Sequence, residues 1–264
     1  MNRIDKTFQR LKEEKKTAFI GFLTAGDPDI KTSIECMKEM EKNGCDLIEI
    51  GVPFSDPCAE GPLIQEANVR ALRHNIKTDD IMDMVKEIRK QSSIPLLYLL
   101  YYNQIFKYGS IRFLDACASC GIDGLIVPDL PYEHQDELYD IAQARGIHLI
   151  SLVTPVSAKR KQQVCAQSKG FLYCVTSTGV TGIRDTFDTD LKAFIEELRN
   201  YSDTPKALGF GISKVSQVQE LKHYAEGIIV GSAIVQEIAN ISTGENSPQD
   251  VGLFVKKLAD ACHQ

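Results

Sequence analysis

No stretch of this chain is long and apolar enough to cross a membrane as a helix. The longest apolar run, residues 94–102, is interrupted by Pro95 and falls well short of the ~20 residues a span needs. No apolar core follows Met1-Asn2-Arg3-Ile4-Asp5-Lys6, as a secretory signal would require, so a cytoplasmic protein is expected. Positive charge is not in excess. The formal net charge of −6 argues against nucleic acid, whose partners present a basic face, but leaves room for a small anionic substrate held at a local site. Metal-ligand spacing is missing too. The five histidines stand apart at 74, 134, 148, 223 and 263, and Cys117-x-x-Cys120 has neither a second pair nor a nearby histidine. Residues three apart share a helical face, so these two thiols read as packing groups. The eight cysteines as a set lie in a long chain without a signal and read as reduced core residues rather than a disulfide framework. A Walker-type phosphate loop is absent, and Lys206 opens a strand instead of ending one, so no Schiff-base lysine is evident at a strand end.

What is present is an alternation. The 264 residues are 43% hydrophobic and 25% charged, ordinary for a globular chain, and α/β barrels commonly fill about 250 residues as one domain. Strand-like runs rich in Ile, Val, Leu, Phe or Tyr fall at 18–24, 47–51, 96–101, 124–127, 149–153, 171–175, 206–210 and 227–230, each bounded by turn residues. Between them, helix-period stretches cover 30–43, 78–90, 111–120, 132–145, 158–168, 191–201 and 214–224. A further helix at 4–14 precedes the first strand and one at 250–262 follows the last; the polar segment 240–248 reads as a surface loop. Eight strands with crossover helices and no break in composition predict a single (β/α)8 TIM barrel domain over residues 1–264, with an extra N-terminal helix. A doubly wound sheet usually opens on a Gly-rich nucleotide turn, and Thr24-Ala25-Gly26-Asp27-Pro28 is not one.

Barrel sites lie in the loops that follow the strands. The loop after the second strand holds three carboxylates, Glu49, Asp56 and Glu60, in a segment too rich in proline for helix or strand. Alternation sends Leu47, Glu49 and Gly51 to one face; if Leu47 fills the barrel, Glu49 faces inward at its top. Partial desolvation would raise its pKa and suit it to proton transfer, although a strand-end acid in a structural ion pair fits the same position. Gly209-Phe210-Gly211-Ile212-Ser213 and Gly231-Ser232-Ala233 suit a phosphate site, or simply tight turns that need glycine. The hydroxyl-rich loop from Thr176 to Asp185 suits a lid in which Thr181 and Gly182 reach a phosphate, or an inert surface loop. Phe22, Tyr101, Tyr102, Tyr173 and Phe210 fall near strand ends, as a pocket for a flat apolar group or as core.

Five motifs, in order along nearly the whole chain, resemble the tryptophan synthase α subunit family: Phe22-Leu23-Thr24-Ala25-Gly26-Asp27-Pro28, Ile48-Glu49-Ile50-Gly51-Val52-Pro53-Phe54-Ser55-Asp56-Pro57, Leu125-Ile126-Val127-Pro128-Asp129-Leu130-Pro131, Gly179-Val180-Thr181-Gly182 and Gly209-Phe210-Gly211-Ile212-Ser213. The resemblance implies a TIM barrel that cleaves indole-3-glycerol phosphate to indole and glyceraldehyde 3-phosphate without a cofactor of its own. It also implies a β-subunit partner in an α2β2 complex, where β carries pyridoxal phosphate. Glu49 matches the family's acid–base residue. Phe22, Tyr173 and Phe210 match its indole pocket; Gly182, Gly211, Gly231 and Ser232 match its phosphate binders. Asp56 and Asp129 lie where the family couples its loops to β. One position departs. The family's second carboxylate is the aspartate of Ala-Asp-Gly-Pro, whereas this chain reads Ala59-Glu60-Gly61-Pro62, with Cys58 where an apolar residue is usual. The added C–C bond is about 1.5 Å long, and misplacing a catalytic group by about 1 Å can cost on the order of 10²-fold in rate. Lowered cleavage is therefore expected. The alternatives are an impaired α subunit retained as an allosteric activator of β, and another phosphate-binding barrel lyase or isomerase.

Overall fold

A computed structural model describes residues 1–157, 160–175, 191–209 and 211–264. Nine strands, β1 (Ala18–Thr24), β2 (Leu47–Gly51), β3 (Leu96–Leu99), β4 (Gly124–Ile126), β5 (His148–Leu149), β6 (Ser151–Val153), β7 (Leu172–Val175), β8 (Lys206–Gly209) and β9 (Gly227–Val230), pair in parallel in the order β5-β4-β3-β2-β1-β9-β8-β7-β6. Only Ile150 separates β5 from β6. Its N–H donates to the Leu125 carbonyl at 2.8 Å. The two are therefore halves of one barrel strand that pairs with β4 in its first half and with β7 in its second. The expected single strand at 149–153 is thus broken at Ile150, where one ladder ends and the next begins. The result is a TIM barrel of eight strands, one of them interrupted.

Around it lie α1 (Arg3–Glu13), α2 (Ile30–Lys42), α3 (Pro62–Leu72), α4 (Thr78–Arg89), α5 (Tyr102–Tyr108), α6 (Ser110–Cys120), α7 (Asp136–Ala144), α8 (Lys161–Gln167), α9 (Leu191–Arg199), α10 (Val215–Leu221), α11 (Ser232–Ser242) and α12 (Pro248–His263). Three were not expected: α3, α5 and α11. Pro62 sits in the first turn of α3, where its missing N–H has no intrahelical partner to lose. The segment expected as a loop at 240–248 shrinks to 243–247, because α11 runs to Ser242 and α12 starts at Pro248. There the Ser247 hydroxyl accepts from the Asp250 N–H and the Asp250 carboxylate from the Ser247 N–H, a reciprocal cap. Among the described residues no helix is long and apolar enough to cross a membrane. Of the eight free cysteines, seven are buried as packing residues and Cys58 is exposed.

The strands are buried on both faces, as parallel sheets are, with alternate residues serving two cores. Phe19, Leu23, Ile48, Ile50, Leu96 and Tyr98 pack outward against the helices. Ala18, Ile20, Leu47, Leu97, Ile126 and Ile229 point into the barrel, where Ile4, Phe8 and Leu11 of α1 join them and plug its N-terminal end. Buried acids fasten that end. The Asp123 carboxylate accepts from Arg3 (2.8 Å), Arg89 (2.8 Å) and the Leu96 N–H (2.9 Å). Asp46 accepts from Arg10 (3.0 Å) and the Phe19 N–H (3.0 Å), and bonds His263 Nε2 (2.7 Å).

Candidate active site

Because Leu47 fills the barrel, the alternation of β2 also turns Glu49 inward, one layer nearer the C-terminal mouth. Its ladder neighbours are Phe22 on β1 and Leu97 on β3. Glu49 is fully buried, and neither carboxylate oxygen has a hydrogen-bond partner among the described residues. Burial pushes its pKa up to about 8, and no described residue nearby stabilises the charged form. The Tyr173 hydroxyl is likewise held well above its ordinary value, first by burial and then by its closeness to Glu49.

Glu49 opens into a cavity of about 670 Å3, counting its mouth. Phe22, Leu99, Leu152, Tyr173 and Ile229 make its walls apolar, and Glu60, Gly211, Gly231 and Ser232 also line it. Two glycines set the positions of the rings. A Cβ on Gly51 would fall 2.6 Å from Phe22 Cζ, and one on Gly209 would fall 2.6 Å from the Tyr173 ring, so both rings rest where only hydrogen fits. On another side, Gly211 turns through a positive φ of 82°. Gly231 and Ser232 open α11, whose first N–H groups have no intrahelical acceptor and face the end of the barrel where the cavity lies. No described lining residue is basic. What the described residues offer an anion here is backbone N–H groups and a helix dipole.

Glu60 reaches the cavity from the loop after β2 and is 7% exposed. Its Oε2 accepts from the Ala59 N–H at 3.2 Å and from the Tyr101 hydroxyl. Tyr101 itself, expected in the aromatic pocket, is not a lining residue; it stands behind the wall, against the Phe54 ring at 5.0 Å between centroids. Asp56 is exposed and lines a separate outer groove with Phe54, Lys77 and Tyr108. Asp129 lies outside the cavity as well, where its carboxylate accepts from the N–H of Tyr102, the first residue of α5, at 2.9 Å. Thr181, Gly182, Phe210 and the expected lid lie outside the described residues. The structure thus brings together Glu49, Glu60, Phe22, Tyr173, Gly211, Gly231 and Ser232. It adds Leu99, Leu152 and Ile229, which strand alternation could have found: each lies two residues beyond an inward position of its own strand.

Fold and cavity together define a TIM barrel with a carboxylate-floored, glycine-rimmed pocket at its C-terminal mouth. A family model described as tryptophan synthase alpha chain matches residues 8–263. The tryptophan synthase alpha chain of Caldanaerobacter subterraneus subsp. tengcongensis is 51% identical over 98% of this chain and 99% of its own length. That of Thermoanaerobacter sp. is 47% identical over the same shares. Among solved structures, the tryptophan synthase alpha chain of Legionella pneumophila is 33% identical and superposes with a TM-score of 0.90, covering 99% of this chain and 97% of the other. A tryptophan synthase structure from Mycobacterium tuberculosis is 29% identical, with a TM-score of 0.92 over 100% and 99%. The chain belongs to the tryptophan synthase alpha chain family.

Proposed function

We propose that this chain cleaves indole-3-glycerol phosphate to indole and glyceraldehyde 3-phosphate, with Glu49 as the proton carrier. The observation that carries the reading is the Glu49 carboxyl, without a hydrogen-bond partner among the described residues, on the floor of an apolar cavity. With a pKa near 8 it is protonated at neutral pH, ready to act as an acid before it acts as a base. Glu49 gives its proton to indole C3, and the ring becomes a cation. The carboxylate then takes the proton of the side-chain hydroxyl on the adjoining carbon; the C3–C bond breaks, its electron pair restores the aromatic ring, and the hydroxyl carbon becomes the aldehyde. One proton is given and one recovered, so Glu49 ends as it began. Glu60 stabilises the cationic ring near its N–H, an electrostatic role. Phe22 and Tyr173 enclose the ring. Gly211, Gly231 and Ser232, with Thr181, Gly182 and Phe210 contributing from beyond the described residues, complete the phosphate and indole sites.

The chain needs no cofactor for this reaction. Its partner is a tryptophan synthase β subunit in an α2β2 complex, which carries pyridoxal phosphate and receives the indole. Asp56 and Asp129 stand on the loops that face that partner, and the setting is the cytoplasm. The longer carboxylate at position 60 lowers the rate relative to aspartate. The deciding assay is indole release from indole-3-glycerol phosphate with and without β. Cleavage should be present and should fall by at least about 10³-fold in Glu49→Gln, as loss of a general acid–base group does; retained cleavage in that variant would sink the mechanism.

A further inference from the structure

We propose that Tyr101 is the positioning residue that fits the longer side chain of Glu60 to the cavity. Its hydroxyl accepts from the N–H groups of Cys58 and Ala59, both at 2.9 Å, and donates to Glu60 Oε2. The Ala59 N–H is shared: it also donates to Glu60 Oε2 at 3.2 Å, so the Glu60 side chain curls back to the Cys58–Ala59 peptide. That curl takes up the extra methylene. Tyr101 is itself fixed at its backbone, since its N–H donates to Gln104 Oε1 (3.1 Å) and Gln104 Nε2 donates to the Pro53 carbonyl (3.0 Å). One short segment therefore fastens the catalytic loop at its start, Pro53, and at its end, residues 58–60. The phenol lies above its ordinary pKa, through burial and through Glu60, so it remains a donor across the working pH range. A carboxylate held by a permanent donor keeps one orientation, which is what electrostatic stabilisation of a developing cation requires.

This inference rests on the cleavage reading above, and the experiment separates the two. In the double-mutant cycle of Tyr101→Phe and Glu60→Asp, kcat and KM for indole release are measured for all four proteins. The phenylalanine keeps the ring against Phe54. Tyr101→Phe should lower kcat about tenfold with KM within about twofold, and should lower it less than about threefold when residue 60 is aspartate. Independent effects of the two substitutions would overturn the inference, as would a change confined to KM, which would mark a substrate contact. Loss of folding in Tyr101→Phe would also overturn it, because a hydroxyl that only places a loop is not needed for the barrel. Absence of cleavage in the unsubstituted protein would instead overturn the functional reading.

Discussion

The two ends of the barrel treat a buried carboxylate in opposite ways. At the N-terminal end Asp123 and Asp46, 4% and 8% exposed, each meet three donors, and the charges lock α1 and the strand starts together. At the C-terminal mouth Glu49 is more deeply buried than either and meets none among the described residues. The two aspartates exchange their hydration for hydrogen bonds and ion pairs, whereas no described residue offsets the desolvation of Glu49. Position along the chain axis is not the whole rule: Asp27, also near the mouth, is held by Arg70 at 2.7 and 2.9 Å. What distinguishes Glu49 is that it faces the cavity. On the proposed mechanism, a partner placed there would occupy the substrate's space and lower the pKa that the proton transfer needs.

The contrast can be broken at its paired end first. Asp123→Ala strands Arg89 and should destabilise the protein by ~3 kcal/mol, with cleavage per folded molecule unchanged; urea unfolding together with the indole assay checks both. At the unpaired end the sign reverses. A carboxyl whose pKa is raised from 4.5 to about 8 holds its proton more tightly folded than unfolded, so stability is lost as pH rises through that window. Glu49→Gln has no such charge to bury. Its melting temperature should therefore exceed that of the unsubstituted protein, with little gain near about pH 5 and the largest gain near about pH 9. A gain that does not grow with pH would mean Glu49 is ionised in a solvated setting. The smallest effect sharpens the mouth itself: Glu60→Asp should raise indole release roughly two- to fivefold and leave activation of β nearly unchanged, since only part of the misplacement cost remains once Tyr101 restrains the side chain.

Much of this was legible in the chain because strand alternation is a local rule. Leu47, Glu49 and Gly51 share a face wherever β2 sits, and the inward reading of Glu49 followed once Leu47 was taken to fill the barrel. Helices α3, α5 and α11 escaped for local reasons too. Pro62 and the Gly231-Ser232 pair read as loop residues although each begins a helix. Tyr101 read as the end of a strand because aromatic residues favour strands, whereas β3 stops at Leu99 and α5 starts at Tyr102. The role of Tyr101 was of another kind. Its hydroxyl meets residues 41 to 43 positions away, and no periodicity announces a contact at that separation.

The α1 plug decides how molecules travel. A barrel stoppered at one end is a cup, not a pipe: under the proposed cleavage, reactant and products would pass the same rim. The rim carries the loops of Asp56 and Asp129, so on the proposed reading a partner that takes indole would have one place to wait, and by seating itself there would also control when the cup is refilled.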